Sequence, residues 1–235
     1  MSKVESNSRP AQQIEGSSGV LPIPLEVNFT TNNLVRAVVD EVSSRSPDWK
    51  KLSPRITNAQ GRLANPESIV GTIAEVHLQE TLTELAKRYQ GRVITNPIKD
   101  GTESEKFTFR RDTRNRFYAC DKETGNSTAE YDMITEIDGL PTVWEIKLNP
   151  QRSGGEKQNR LRGLLRSNNI NQRFHPLRDY YGNNEFAYII IAAQEAINPS
   201  SGLYQDFIKK GGIVIPFPLS TLEFKVRVLE ARLRK

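Results

Sequence analysis

The sequence is short of cysteine and of long hydrophobic runs, and each shortage excludes a class of protein. Cys120 is the only cysteine in the 235 residues, so the chain can form neither an internal disulfide nor a zinc site made of several cysteines. No apolar run reaches the about 18 residues that a membrane-spanning helix needs. Residues 1–26 also lack the apolar stretch of a secretory signal peptide. We therefore expect a cytoplasmic protein with no membrane partner.

The motifs of several common enzyme classes are missing as well. The sequence contains no Gly-rich phosphate-binding loop, no paired cysteine cluster and no serine-centred nucleophile elbow. The two histidines, His77 and His175, lie far apart, and scattered histidines are more often structural than catalytic. Neither a nucleotide-binding loop nor a serine hydrolase is therefore predicted.

The cations are unevenly distributed along a chain whose overall charge is modest. There are 33 lysines and arginines against 28 acidic residues, which gives a net charge of +5. Residues 151–178 alone contain seven cations and one acid, a net excess of six positive charges. Such an excess attracts polyanions, of which phosphate backbones are the common kind; a solvated helix face is the alternative interpretation. The candidate nucleic-acid contacts in this segment are Arg152, Lys157, Arg160, Arg162, Arg166 and Arg173.

Helical and extended patterns alternate after an N-terminal stretch, residues 1–26, whose serine, glutamine and proline content predicts a flexible arm. We expect residues 27–235 to form a single domain. The apolar periodicity predicts helices at 32–44, 65–89, 156–166, 203–210 and 221–235. It predicts strands at 92–97, 130–137, 142–148, 186–192 and 213–217, with further extended chain between 107 and 118. This order describes an α/β fold in which helices flank a mixed central sheet.

The second predicted helix carries an acid that needs a partner. Its start, Asn65-Pro66-Glu67, combines a capping residue, a proline in the first turn and an early acid. Glu75 follows within the helix, one turn from Leu78 and beside a row of leucines. Because burying an unpaired charge is costly, we expect Glu75 to meet another charged or polar group.

The predicted strand 142–148 places an acid and an amine on one face. Successive side chains of a strand alternate between its two faces. Trp144, Ile146 and Leu148 therefore point one way, and Glu145 and Lys147 point the other way. The apolar set anchors the strand, which leaves the charged pair together on the opposite face.

The turn that precedes this strand decides whether Asp132 joins the pair. An Asp-Gly sequence at 138–139 is a strong hairpin signal. A two-residue loop sets Asp132 opposite Glu145, whereas a four-residue loop sets it opposite Lys147. An odd loop moves Asp132 to the other face. Pro141 favours the longer loop, because proline cannot donate a hydrogen bond to a neighbouring strand.

Two carboxylates held in this way suit a magnesium ion. Mg²⁺ binds through oxygen ligands and typically takes one or two carboxylates, which leaves places for water and a substrate phosphate. A nearby ammonium can orient or deprotonate the attacking water, or offset charge at phosphorus. The alternative interpretation is a solvated Glu-x-Lys pair on a half-exposed sheet, where such pairs contribute only about 0–1 kcal/mol.

The order of these residues resembles the PD-(D/E)xK nuclease superfamily, which includes many restriction endonucleases and junction resolvases. A helical acid (Glu75) is followed by an aspartate on a strand (Asp132) and by Glu-x-Lys on the next strand (Glu145 and Lys147). The resemblance covers about residues 69–192. Tyr131 stands where the motif has its proline, a position that varies widely among such proteins.

The resemblance implies a fold, a cofactor and a reaction. The fold is a restriction-endonuclease-like mixed central sheet flanked by helices. Asp132, Glu145 and the carbonyl of Ile146 ligate Mg²⁺ (for which Mn²⁺ substitutes), Glu75 completes the site and Lys147 is catalytic. The reaction is hydrolysis of phosphodiester bonds in DNA by an endonuclease of restriction type.

The resemblance and the residues leave several alternatives open. Restriction-like enzymes are often dimers, so a homodimer is one expectation. A catalytically inactive protein of the nuclease fold that still binds nucleic acid is the principal alternative to the enzyme. A protein-interaction domain with a solvated Glu-x-Lys strand is the other, and it predicts no affinity for DNA at any salt concentration.

Overall fold

The computed structural model describes residues 28–46, 66–112, 116–148 and 160–217. The described helices are α1 (Asn33–Ser44), α2 (Pro66–Arg88), α3 (Arg160–Leu164), α4 (Ser167–Tyr181) and α5 (Gly202–Lys209). The strands within the same ranges are β1 (Val93–Thr95), β2 (Phe107–Arg111), β3 (Phe117–Asp121), β4 (Ser127–Tyr131), β5 (Met133–Ile137), β6 (Leu140–Lys147), β7 (Ala187–Ala193) and β8 (Ile213–Phe217). The arm at 1–26 and the helix at 221–235 that the sequence predicts lie outside the described residues.

The helices that the sequence predicts at 32–44, 65–89 and 203–210 are confirmed as α1, α2 and α5. The side chain of Asn32 caps α1 by accepting a hydrogen bond from the Val35 N–H at 2.7 Å. Ser201 caps α5 in the same way through the Tyr204 N–H at 3.3 Å. Such caps satisfy amide groups that have no partner within the helix. None of the helices in the described part of the chain is both long and apolar enough to cross a membrane.

A mixed sheet of five strands forms the centre of the fold. Its strand order is β1-β5-β6-β7-β8. The strands β6, β7 and β8 run parallel, while β5 is antiparallel to both β1 and β6. Every residue of β7 is buried, as expected of a parallel strand whose two faces are both covered. An α/β fold with a mixed sheet flanked by helices is thus what the sequence predicted.

The two faces of this sheet carry different hydrophobic clusters. Trp144 and Ile146 of β6 pack with α1 and α2 on one face. Val143 of β6 packs with α4 and with Tyr188 of β7 on the other. Because side chains alternate along β6, Glu145 belongs to the α4 face. The predicted separation of an apolar face and a charged face on β6 is therefore present.

A second sheet, which the sequence did not predict as such, interrupts the expected strand at 130–137. The strands β2, β3 and β4 form an antiparallel sheet of their own. The chain leaves this sheet at Tyr131 and enters the central sheet at Met133, so Asp132 lies in a bend between them. The expectation of one continuous strand was wrong, because apolar alternation continues through the bend and does not reveal a change of pairing partner.

The β5–β6 hairpin has the shorter of the two even loops. Ile137 pairs with Leu140, so Asp138 and Gly139 alone form the turn. Both have positive φ, 51° and 74°, as a two-residue turn of type I′ requires.

The longer loop that Pro141 favoured was wrong, and the register gives the reason. Pro141 pairs with Glu136 next to the turn-closing pair, and adjacent antiparallel pairs alternate between hydrogen-bonded and non-hydrogen-bonded types. Pairing between β6 and β7 begins only at Thr142. Pro141 therefore occupies a place where no N–H is needed.

The helix α4 is a feature that the sequence pattern concealed. One helix was expected at 156–166, of which residues 156–159 lie outside the described residues, and no helix was expected between it and the strand at 186–192. The structure instead has the short α3, then α4, which contains both His175 and Pro176. Proline in a helix interior removes a hydrogen bond and usually ends the helix. Here the burial of Phe174, Pro176 and Leu177 against the two sheets maintains it.

Candidate active site

Asp132 occupies the bend between the two sheets, and its carboxylate turns toward β6. Its Oδ2 accepts a hydrogen bond from the backbone N–H of Ile146 at 2.7 Å. The same oxygen lies 3.1 Å from Nζ of Lys147. The β5–β6 register, continued by one residue, places Asp132 opposite Glu145, as the two-residue loop requires. The bend therefore fixes Asp132 against the strand that carries the Glu-x-Lys sequence.

The ammonium of Lys147 bridges two carboxylates. Its Nζ lies 3.1 Å from Asp132 Oδ2 and 3.2 Å from Glu145 Oε2. The Glu145 side chain is only 1% exposed, whereas those of Asp132 and Lys147 are 15% and 24% exposed. The cluster thus has a closed end at Glu145 and an open end at Asp132 and Lys147. This is the juxtaposition of three residues that the sequence predicted.

Ile146 enters the cluster through its backbone, though by a different group from the one expected. The resemblance assigned its carbonyl to a metal ion. The structure shows its N–H donating to Asp132, which orients that carboxylate. The role of the carbonyl stays a prediction.

Arg173 of α4 is a member of the cluster that sequence reasoning placed elsewhere. Its guanidinium donates to Oε1 of Glu145 and to the backbone carbonyl of Glu130. The surrounding excess of cations predicted that Arg173 contacts DNA. A buried acid on an apolar strand was a signal that a cation was needed, but 28 residues separate Glu145 from Arg173, and α4 was not predicted.

Apart from Arg173, the candidate DNA contacts that the structure describes lie within α3 or immediately before α4. Arg162 on α3 and Arg166 immediately before α4 are both exposed to solvent. Arg160 begins α3. Arg152 and Lys157 lie outside the described residues. A phosphate contact by any of these side chains stays a prediction.

Glu75 lies on α2 and is within electrostatic range of the cluster. Desolvation is the largest cause of a pKa raised to about 7 for Glu75, repulsion by Asp132 adds to it, and Lys147 opposes it. The residue as a whole nevertheless retains considerable exposure to solvent. Because solvent screens an exposed charge, Glu75 interacts with the cluster less strongly than a buried acid would. Asp132 and Lys147 are the first two charged residues that affect Glu75, and a direct role for Glu75 at the cluster stays a prediction.

Burial dominates the electrostatics of Glu145. Burial first, and repulsion by Asp132 second, raise the pKa of Glu145 to about 7 against the opposing attraction of Arg173 and Lys147. Burial also disfavours the charged form of Lys147, but attraction by Glu145 and Asp132 outweighs it and raises the pKa of Lys147. Lys147 therefore carries its charge at neutral pH, and Glu145 exchanges a proton more readily there than an ordinary glutamate.

A buried hydroxyl beside the cluster has no visible partner. Tyr188 of β7 is 1% exposed, and its hydroxyl makes no hydrogen bond with any part of the chain that the structure describes. Burial raises the pKa of Tyr188 well above its usual range, and Glu145 adds to this shift. By contrast, the hydroxyl of Tyr131 donates to the backbone carbonyl of Arg173 at 2.7 Å.

The donor set is chemically suited to Mg²⁺, although cations of the protein hold the carboxylates together. Oxygen atoms of Asp132 and Glu145 are hard ligands of the kind that Mg²⁺ prefers. Across the described residues, no group of three or more His, Cys, Asp or Glu side chains is arranged to hold a metal ion. Lys147 Nζ lies between the two carboxylates. A metal ion shared by both would therefore require the ammonium to move away.

Comparisons with known proteins add little to this geometry. No family model and no curated protein matches the chain. Among solved structures, protein VC1899 from Vibrio cholerae matches over 87% of this chain with 10% sequence identity and a TM-score of 0.32. The chain spans about half of that protein's length, 56%. A likeness at this level carries no argument about fold or function, so the functional conclusion depends on the site itself.

Proposed function

We propose that this protein is a Mg²⁺-dependent nuclease that hydrolyses phosphodiester bonds in DNA, as an endonuclease with a restriction-endonuclease-like fold. The observation that carries the proposal is that Lys147 Nζ lies 3.1 Å from Asp132 Oδ2 and 3.2 Å from Glu145 Oε2, where the bend between the two sheets meets β6. Glu75 interacts electrostatically with the same cluster. The chain order of these four residues is that of the PD-(D/E)xK motif. A cytoplasmic location and a homodimer belong to the same proposal.

Asp132 and Glu145 are the residues that would hold the metal ion. The resemblance adds Glu75 and the Ile146 carbonyl as further ligands. A bound Mg²⁺ supplies a Lewis acid that stabilises the leaving oxygen and lowers the pKa of a bound water. Arg173 already occupies Oε1 of Glu145, which leaves Oε2 as the oxygen of Glu145 that faces Asp132 and Lys147.

Lys147 would act at the attacking water or at the phosphate. Its ammonium is carried on a flexible four-carbon stem, and its side chain is 24% exposed. These properties allow Nζ to break its contacts with the two carboxylates and still remain close to them. In the displaced position Lys147 can orient the water nucleophile or offset charge on the phosphoryl oxygens.

The exposed cations before α4 would contact the DNA backbone. Arg162 and Arg166 are solvent-exposed and belong to the basic segment, together with Arg152, Arg160 and Lys157. Each phosphate that a cation neutralises releases counterions, so binding should weaken steeply as the salt concentration rises.

The decisive experiment is a divalent-metal titration against plasmid, linear and branched DNA. The wild-type protein should cut at least one of these substrates with Mg²⁺ or Mn²⁺, and chelation should abolish the activity. Asp132→Asn should lose cleavage and keep DNA binding, because the substitution preserves shape and removes a ligand charge. Asp206→Asn on the exposed surface of α5 is a matched control that should retain activity. The proposal fails if no substrate is cut and no Mn²⁺ binds to the wild-type protein.

A second candidate, a catalytically inactive nucleic-acid-binding protein, is favoured by one observation. Two cations of the protein, Lys147 and Arg173, already pair with Glu145. An inactive protein would bind DNA with a strong salt dependence and show no metal-dependent cleavage. Its wild-type form and its Asp132→Asn variant would bind DNA equally well.

A further inference from the structure

Arg173 ties the helix α4 to both sheets at the position of the cluster. Its guanidinium donates to the side chain of Glu145 on β6 and to the backbone carbonyl of Glu130 on β4. Its own carbonyl accepts a hydrogen bond from the Tyr131 hydroxyl at 2.7 Å. The side chain and the backbone of one residue are therefore both attached next to the bend that carries Asp132.

This attachment assigns a separate cation to each oxygen of Glu145. Oε1 is held by Arg173, and Oε2 lies 3.2 Å from Lys147 Nζ. Rotation of the carboxylate would break both contacts at once. Because Glu145 is only 1% exposed, water cannot readily replace either partner, and an unpaired charge there would be costly.

The burial of Arg173 separates it from the cations that could grip DNA. Its side chain is 17% exposed, and its guanidinium lies 5.9 Å from the centre of the Tyr131 ring. Arg166, in contrast, is exposed. A phosphate contact by Arg173 would require it to give up Glu145 and the Glu130 carbonyl together.

We infer that Arg173 is a positioning residue, which holds Oε1 of Glu145 so that Oε2 alone is presented to the reacting centre. It acts through Glu145 and touches neither the substrate nor the attacking water. This role rests on the proposed nuclease function. The planar guanidinium suits the task because its donors have a fixed geometry, which the single ammonium of a lysine does not reproduce.

The test is a comparison of kcat and KM at saturating Mg²⁺ for Arg173→Met, Arg173→Lys and Arg166→Met. Removing an outer partner of a metal ligand typically costs about 10- to 100-fold in activity or metal affinity. Arg173→Met should therefore lower kcat by about that factor, with KM for DNA and the salt dependence of binding unchanged. Arg173→Lys should recover part of the lost kcat. Arg166→Met should show the reverse, a higher KM and a weaker salt dependence with kcat retained.

Arg36→Met on the exposed surface of α1 is the control for the loss of one arginine, and it should behave as wild type. If Arg173→Met does not fold, Arg173→Lys decides the question, because a lowered kcat with unchanged KM supports the role. A wild-type kcat in either Arg173 variant overturns the inference, as does a raised KM with a smaller salt dependence. Failure of the wild type to bind Mn²⁺ or to cut DNA overturns the nuclease function as well, whereas an active wild type with unaffected Arg173 variants overturns the inference alone.

Discussion

Lys147 Nζ lies 3.1 Å from Asp132 Oδ2, although the two residues are 15 positions apart in the chain. The two residues come into contact because the two-residue turn folds β6 back against β5. The contact makes Lys147 a competitor for the oxygens that a metal ion would use.

Lys147→Met should separate metal binding from cleavage. Because the ammonium no longer has to be displaced, Mn²⁺ affinity measured by calorimetry should rise. Cleavage should fall by at least about 100-fold, the lower end of the contribution of a proton-transferring side chain. Lys209→Met, an exposed lysine on α5, should change neither. Weaker Mn²⁺ binding in Lys147→Met would contradict the placement of the metal ion between the two carboxylates.

Glu75→Gln should weaken Mn²⁺ binding by about 10-fold and leave the fold intact. The expectation follows from the interaction of Glu75 with Asp132 and Lys147, which brings its charge near the proposed ligands. Glu80→Gln, on the same helix five residues later, is the matched control. Calorimetric titration of both variants with Mn²⁺ measures the difference, and equal affinities would remove Glu75 from the site.

Two buried tyrosines should respond differently to removal of their hydroxyls. Tyr131→Phe deletes the donor to the Arg173 carbonyl and should lower the free energy of unfolding by about 1–2 kcal/mol. Tyr188→Phe deletes a hydroxyl without a hydrogen-bond partner among the described residues and should leave stability unchanged or raise it by up to about 1 kcal/mol. Urea unfolding of the two variants gives the comparison. A loss in Tyr188→Phe as large as that in Tyr131→Phe would mean that the Tyr188 hydroxyl is hydrogen-bonded in solution.

The contribution of Glu145 to the stability of the metal-free protein should fall as the pH rises from about 4.5 to about 7. Burial raises the pKa of Glu145 from 4.5 to about 7, so across this window the folded protein binds more protons than the unfolded chain. The stability contribution is therefore complete below the unfolded pKa and is lost as the pH passes the folded pKa. Urea unfolding at several pH values across the window gives the free energy of unfolding as a function of pH. This free energy should fall less steeply with pH for Glu145→Gln than for wild type. Equal slopes would show that Glu145 ionises normally.

Gly139→Ala should destabilise the β5–β6 hairpin. Gly139 has a φ of 74°, and this left-handed region costs an alanine about 1–2 kcal/mol. Asp138→Asn is the comparison, since asparagine tolerates the 51° φ of that position. It loses only an exposed ion pair with Arg92 at 2.7 Å and should have the smaller effect. Thermal unfolding followed by circular dichroism gives the ranking, and a neutral Gly139→Ala would contradict the type I′ turn.

Local sequence patterns were enough to predict the main strands of the central sheet and the placement of Glu145 and Lys147 on one face of β6. Alternation along β6 separated Glu145 and Lys147 from Trp144 and Ile146, because the two-residue period of a strand depends on backbone geometry alone. An Asp-Gly pair predicted the hairpin for a similar reason, since few residues accept positive φ. The choice between a two-residue and a four-residue loop was not determined, because Pro141 is disfavoured only where a neighbouring strand needs its N–H.

Long-range pairing decided the rest. The sequence pattern predicts that Asp132 lies within a strand. It lies instead in the bend between two sheets, because β4 pairs with β3 and β5 pairs with β6. In the sequence, Arg173 is one of several cations in a basic segment, and nothing local distinguishes it from the others. Its role at Glu145 depends on α4, a helix that contains Pro176 and is maintained by burial between the two sheets rather than by helix propensity. Such contacts join residues far apart in the chain, and their energy comes from burial and charge pairing in the folded protein, which no local pattern records.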